Sequence, residues 1–67
     1  MGLKKWWCVT ICVYDDDTTT AEITGSRRAR SRPRGSYRST RTRDIYTRWY
    51  HTYAAALDAV QAAADEK

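Results

Sequence analysis

The stretch KKWWCVTICVY alternates with a period of two: Trp7, Val9, Ile11 and Val13 fall on one side, Trp6, Cys8, Thr10, Cys12 and Tyr14 on the other. Its β-branched and aromatic residues suit a pleated surface, so it predicts a strand. Apolar residues on both sides place that strand at the centre of a small sheet, or with one face covered by another subunit. Asp15 to Asp17 then supply a turn, because their carboxylates can accept local backbone hydrogen bonds. TTTAEITG, Thr18 to Gly25, predicts a second strand with Thr19, Ala21 and Ile23 against Thr20, Glu22 and Thr24; its modest apolar content suits an edge or a polar outer face.

Alternation resumes at Tyr37 and runs to Tyr50 or His51 as a third strand. Ile45, Thr47 and Trp49 are expected to face the core, with Tyr46, Arg48 and Tyr50 opposite. Read as one extended run, it puts Arg41 and Arg43 on one face and Arg38 on the other. Thr52 is a natural N-cap for an alanine-rich helix from Tyr53 to Ala64, whose stripe of Tyr53, Leu57, Val60 and Ala64, with Ala56, should pack on the sheet. The expectation is an α+β fold: a small three-stranded antiparallel sheet with one C-terminal helix, in the order β-β-β-α, forming a single domain over residues 1–67.

Charge changes this picture between the second and third strands. Ser26 to Arg43 holds eight arginines and no acid in eighteen positions, while the rest of the chain carries four bases against eight acids, for a net +4 overall. Pro33-Arg34-Gly35 is the natural reversal inside the segment, since proline fixes φ and glycine permits left-handed geometry. Residues 26–43 are therefore expected to form a long arginine-rich hairpin or loop projecting from a near-neutral to acidic body. Such polarity favours a phosphate backbone, and an acidic protein groove satisfies the same electrostatics.

Arg27, Arg28, Arg30, Arg32, Arg34, Arg38, Arg41 and Arg43 are the candidate nucleic-acid contacts, because guanidinium forks match phosphate oxygens and stay charged. Tyr37 joins them as a base-stacking candidate. Trp6, Tyr46, Arg48 and Tyr50 are the candidate protein-contact surface, with the aromatics able to extend a stacking platform instead. No helix-turn-helix, zinc-finger spacing or glycine-rich phosphate loop is present, so binding should tolerate sequence and respond strongly to salt.

Catalysis and metal binding find little support. His51 is the only histidine, and although Asp44 or Asp58 could partner it, no nucleophile, base and oxyanion donors assemble in the pattern. Cys8 and Cys12, four residues apart on a strand, would sit about 13 Å apart and cannot bond to each other. Asp15 to Asp17 are read as a turn, because adjacent residues rarely supply a full set of cation ligands. Neither a metal nor another cofactor is expected.

Trp6 to Tyr14 is too short for a membrane helix, which requires about 20 residues. The expected setting is the cytoplasm, with no membrane partner. A core this small makes association with a second copy or another partner attractive. The function expected from sequence is a non-catalytic basic binding protein contacting nucleic acid or a ribonucleoprotein surface. The alternatives are an inhibitor or accessory protein of mobile-element or phage type that binds a host protein, including an antidefence role, and a structural homodimer component.

Overall fold

Two antiparallel hairpins make up the sheet in the computed structural model, which describes residues 2–65. Met1 and residues 66–67, included in the expected single domain, lie outside the described residues. Strand β1 (Lys4–Tyr14) pairs with β2 (Thr19–Ala29), and β3 (Ser36–Ser39) pairs with β4 (Arg43–Tyr50). The hairpins join through β1 and β4, giving the antiparallel order β2-β1-β4-β3, followed by helix α1 (Tyr53–Asp65).

This corrects the three-stranded β-β-β-α expectation in two respects. The run from Tyr37 to Tyr50 is two strands, because Thr40 folds the chain back: its N–H and hydroxyl both reach the Arg43 carbonyl, at 2.8 and 3.1 Å, and its Oγ1 lies 3.2 Å from the Arg43 N–H. In addition, β2 and β3 occupy opposite edges of the sheet, so the arginine segment is not a hairpin between them. Doubly apolar β1 takes a neighbour on each side, β2 and β4, and the chain between β2 and β3 must cross from edge to edge.

The β1–β2 turn uses the three aspartates. Asp17 N–H donates to the Tyr14 carbonyl at 3.1 Å, Tyr14 N–H donates to the Thr18 carbonyl at 2.8 Å, and Asp17 itself is left-handed at φ 69°. That is a tight turn ending in the left-handed position usually filled by glycine. Asp16 accepts from Thr18 N–H at 3.0 Å, and hydrogen bonding from the Thr18 side chain first and its backbone second holds the Asp16 carboxyl below the ordinary value of 3.8.

Register assigns the faces. Trp7, Val9, Ile11 and Val13 of β1 share the helix side with Ile23, Ala21 and Thr19 of β2 and with Tyr50, Arg48, Tyr46 and Asp44 of β4. The helix-free side therefore receives Ile45, Thr47 and Trp49, the reverse of the expected division between core and exterior. Helix α1 begins at its cap, where Ala55 N–H donates to Thr52 Oγ1 at 3.0 Å, and packs mainly over β2 and β1. Its inward stripe is Ala56, Ala59, Val60 and Ala63; Tyr53 and Leu57, expected inside, are largely exposed. Small alanines bring the helix close to the sheet, and Tyr53 instead sets its ring edge-on to Trp7, at 5.0 Å between centroids.

Val9 is the only fully buried large side chain among the described residues. The core is correspondingly thin, and the molecule is a plate of 45 × 22 × 13 Å. No helix of the described residues is long and apolar enough to cross a membrane.

Candidate nucleic-acid interface

The bulge in β2 decides where the first arginines go. Cys8 pairs with Gly25 but Val9 pairs with Ile23, leaving Thr24 as the extra residue. Without that insertion Arg27 would continue on the side of Ile23 and face the helix. With it, Arg27 stands beside Trp6 on the helix-free face, and Arg28 moves to the helix side beside Lys5. Thr24 turns its hydroxyl to Thr10 Oγ1 at 2.9 Å, anchoring the bulge on the helix-free face.

Beyond Ala29 the chain leaves the sheet edge and crosses toward β3 through Arg30 to Gly35. Trp6 lies on the face without a helix, yet it is only 7% exposed and Cys8 9%. The start of the crossing covers Trp6: its Nε1 donates to the Ala29 carbonyl at 3.1 Å, and the Arg32 guanidinium sits 5.7 Å above its ring. Pro33 is half-buried and His51 contributes an edge-on contact to Trp6 at 6.1 Å. The crossing segment thus acts as a partial second layer, with Arg32 resting on the tryptophan beneath.

The second hairpin adds the rest. Arg38 pairs with Ile45 and therefore shares its helix-free face, as does Arg43 two residues along β4. Their expected separation onto opposite faces assumed one continuous strand, and the turn at Thr40 removes it. Arg43 lies 5.8 Å above the Tyr14 ring and donates to its hydroxyl at 3.4 Å, while Arg41 occupies the turn. Arg30 and Arg34 are exposed in the crossing segment. The helix-free face consequently has Arg27 and Arg32 at one end and Arg38 and Arg43 at the other. Between them lie Thr20, Thr10, Thr47 and Ser36, with Glu22 on the β2 edge.

The aromatic candidates separate. Trp6 is buried beneath the crossing segment, whereas Tyr46, Arg48 and Tyr50 lie together on the helix-side face of β4, in the part α1 leaves uncovered. Tyr37 joins this second group from β3, its ring 5.0 Å from that of Tyr46 and its hydroxyl donating to Asp44 Oδ1 at 3.2 Å. Ser39 donates to the same oxygen at 2.9 Å. Sequence reasoning missed Tyr14, Asp44 and Trp49 as participants, and it missed the Lys5 ammonium 4.5 Å over Trp7. Gly25, a glycine inside a strand pattern, was the available sign of the bulge.

Among the described residues no group of three His, Cys, Asp or Glu side chains gathers, and Cys8 and Cys12 are free thiols. No protein-family model matches the chain, and neither a curated protein nor a solved structure matches it.

Proposed function

We propose that this is a non-catalytic nucleic-acid-binding protein that grips the phosphate backbone with its helix-free face. One observation carries the reading: Arg27, Arg32, Arg38 and Arg43, separated in sequence, are brought to a single face with the hydroxyls of Thr10, Thr20, Thr47 and Ser36 between them. Arginines supply charge-assisted donors and the Thr and Ser hydroxyls short-range ones, a combination suited to phosphate and sugar oxygens. Two of the four guanidiniums stand over aromatic rings, so less side-chain freedom is lost when they meet an anion. Among the described residues the face offers no helix or ribbon to enter a groove, so recognition is of backbone rather than base sequence.

Binding to duplex DNA, single-stranded DNA and RNA across a salt series tests the proposal. Release of counterions from about four phosphates gives a log–log slope near −4 on duplex and about −3 on single strands. Arg38→Gln should weaken binding similarly on unrelated sequences and flatten the duplex slope by about 1. Affinity insensitive to salt, or unchanged in an Arg27→Gln/Arg38→Gln/Arg43→Gln protein, defeats the reading.

A further inference from the structure

The edge of β4 carries a second, different site. Strand β3 is short: its pairing with β4 begins at Ser36 opposite Thr47, so β4 continues as Arg48, Trp49 and Tyr50, paired with β1 but, among the described residues, with no strand on its other side. Along β4 the odd residues turn their peptide groups toward β3, as the bond from Thr40 N–H to the Arg43 carbonyl shows, while Thr42 turns its carbonyl to Asp15 N–H at 3.0 Å on the β1 side. Trp49 belongs to the odd set. Its N–H and C=O therefore point out of the sheet edge, and among the described residues neither has a backbone partner there.

That free donor and acceptor open into a cavity of about 490 Å³ between the crossing segment and β4. Its walls combine Tyr37, Tyr46, Tyr50 and Trp49 with the guanidinium-bearing Arg32 and Arg48. A flat aromatic ring is suited to the tyrosine surfaces, which share the helix-side face with Arg48, an adjacent donor–acceptor edge to the Trp49 peptide, and an anion to Arg48 or, across the edge, to Arg32. We infer that this notch binds one unpaired nucleotide, taking its base among the aromatic rings and its phosphate against Arg32 or Arg48.

The competing occupant is an acidic peptide adding as an extra strand. The geometry favours the nucleotide, because only one residue of free edge is present before the crossing segment closes the line at Gly35, which lies against the Thr47 carbonyl. A strand needs a row of such groups; a base needs one donor and one acceptor. The volume falls within the range of about 300–1,000 Å³ that holds small ligands. The inference rests on the phosphate-binding reading, since it treats the notch as the place where a nucleic acid already held by its backbone presents a base, so a preference for unpaired nucleotides follows.

The full-length protein should be titrated against three duplexes of equal length: one fully paired, one with a single bulged nucleotide, and one with an abasic residue at the bulge. The abasic duplex matches the bulge in backbone and charge and lacks only the base. The expected result is about tenfold tighter binding to the bulged duplex than to the abasic one, the scale of one base stacking on aromatic side chains. Tyr46→Ala should abolish that ratio and leave binding to the paired duplex unchanged. Should that variant unfold by circular dichroism, Tyr37→Ala, which removes an exposed ring from the same wall, replaces it and must reduce the ratio severalfold. Equal affinity for bulged and abasic duplexes overturns the nucleotide site while leaving backbone binding standing, whereas failure to bind any duplex or single strand removes the phosphate reading itself. A poly-glutamate peptide that erases the bulged-to-abasic ratio without weakening paired-duplex binding assigns the notch to an acidic peptide instead and also overturns the inference.

Discussion

Gly35 is the point where the crossing segment meets the sheet, and a Cβ added there would fall inside the contact radius of the Thr47 carbonyl oxygen. Both groups are backbone, so neither can rotate aside, and Ser36 would have to leave its place opposite Thr47. Gly35→Ala should therefore cost about 1–3 kcal/mol, as overpacking typically does, while Gly25→Ala, which meets nothing within 4 Å, should be close to neutral. Urea midpoints of the two variants check the contrast. Asp16 gives a pH prediction of known sign. Its carboxyl is held below 3.8 by its bonds from Thr18, so it contributes stability that is complete above the ordinary value and is lost as pH falls through the lowered one. Asp16→Ala should remove that contribution at neutral pH and flatten the acid limb of the stability curve, measured as urea midpoint against pH.

At the scale of elements, the β1–β2 turn places Asp17 in a left-handed conformation that costs an L-residue about 1–2 kcal/mol, partly relieved for Asp by local hydrogen bonding. Asp17→Gly should accordingly raise stability by about 0.5–1 kcal/mol, read from the thermal midpoint; a fall would mean that the aspartate side chain holds the turn. Removing the Thr52 cap, which satisfies Ala55 N–H, should cost about 1 kcal/mol in urea denaturation. Elements like these were legible because their signals are local: the alternation of β1, the aspartate turn and the capped alanine helix each reside in a few adjacent residues. What failed was non-local or degenerate. SYRSTRTRD alternates whether the chain runs straight or folds back at Thr40, since threonine and arginine tolerate strand and turn alike. With both sides of β1 apolar, the period of two could not say which side the helix would cover. The helix stripe was misjudged because large residues were ranked above small ones, and it was Ala56, Ala59 and Ala63 that allowed close approach.

At the scale of the whole molecule, what matters is the span between the two arginine groups. From Trp6, beside Arg27 and Arg32, to Tyr14, beside Arg43, β1 advances eight residues, or about 27 Å at strand spacing. B-DNA rises 3.4 Å per base pair, so both groups reach phosphates at once only on a duplex of about eight base pairs or more. Affinity measured by fluorescence anisotropy on hairpin-closed duplexes should climb steeply up to roughly that length, then rise only with the number of equivalent positions. A duplex of about five base pairs should engage one group and show about half the salt slope of a longer one. The position of each arginine makes a further distinction. On the long duplex Arg27→Gln and Arg38→Gln should each weaken binding, and the double variant should behave additively because the residues lie at opposite ends of the face. On the short duplex either single variant should have a reduced effect, since the molecule can bind by its intact end. Equal slopes on short and long duplexes would show that a single arginine group makes all the contacts, and would confine the interface to one end of the plate.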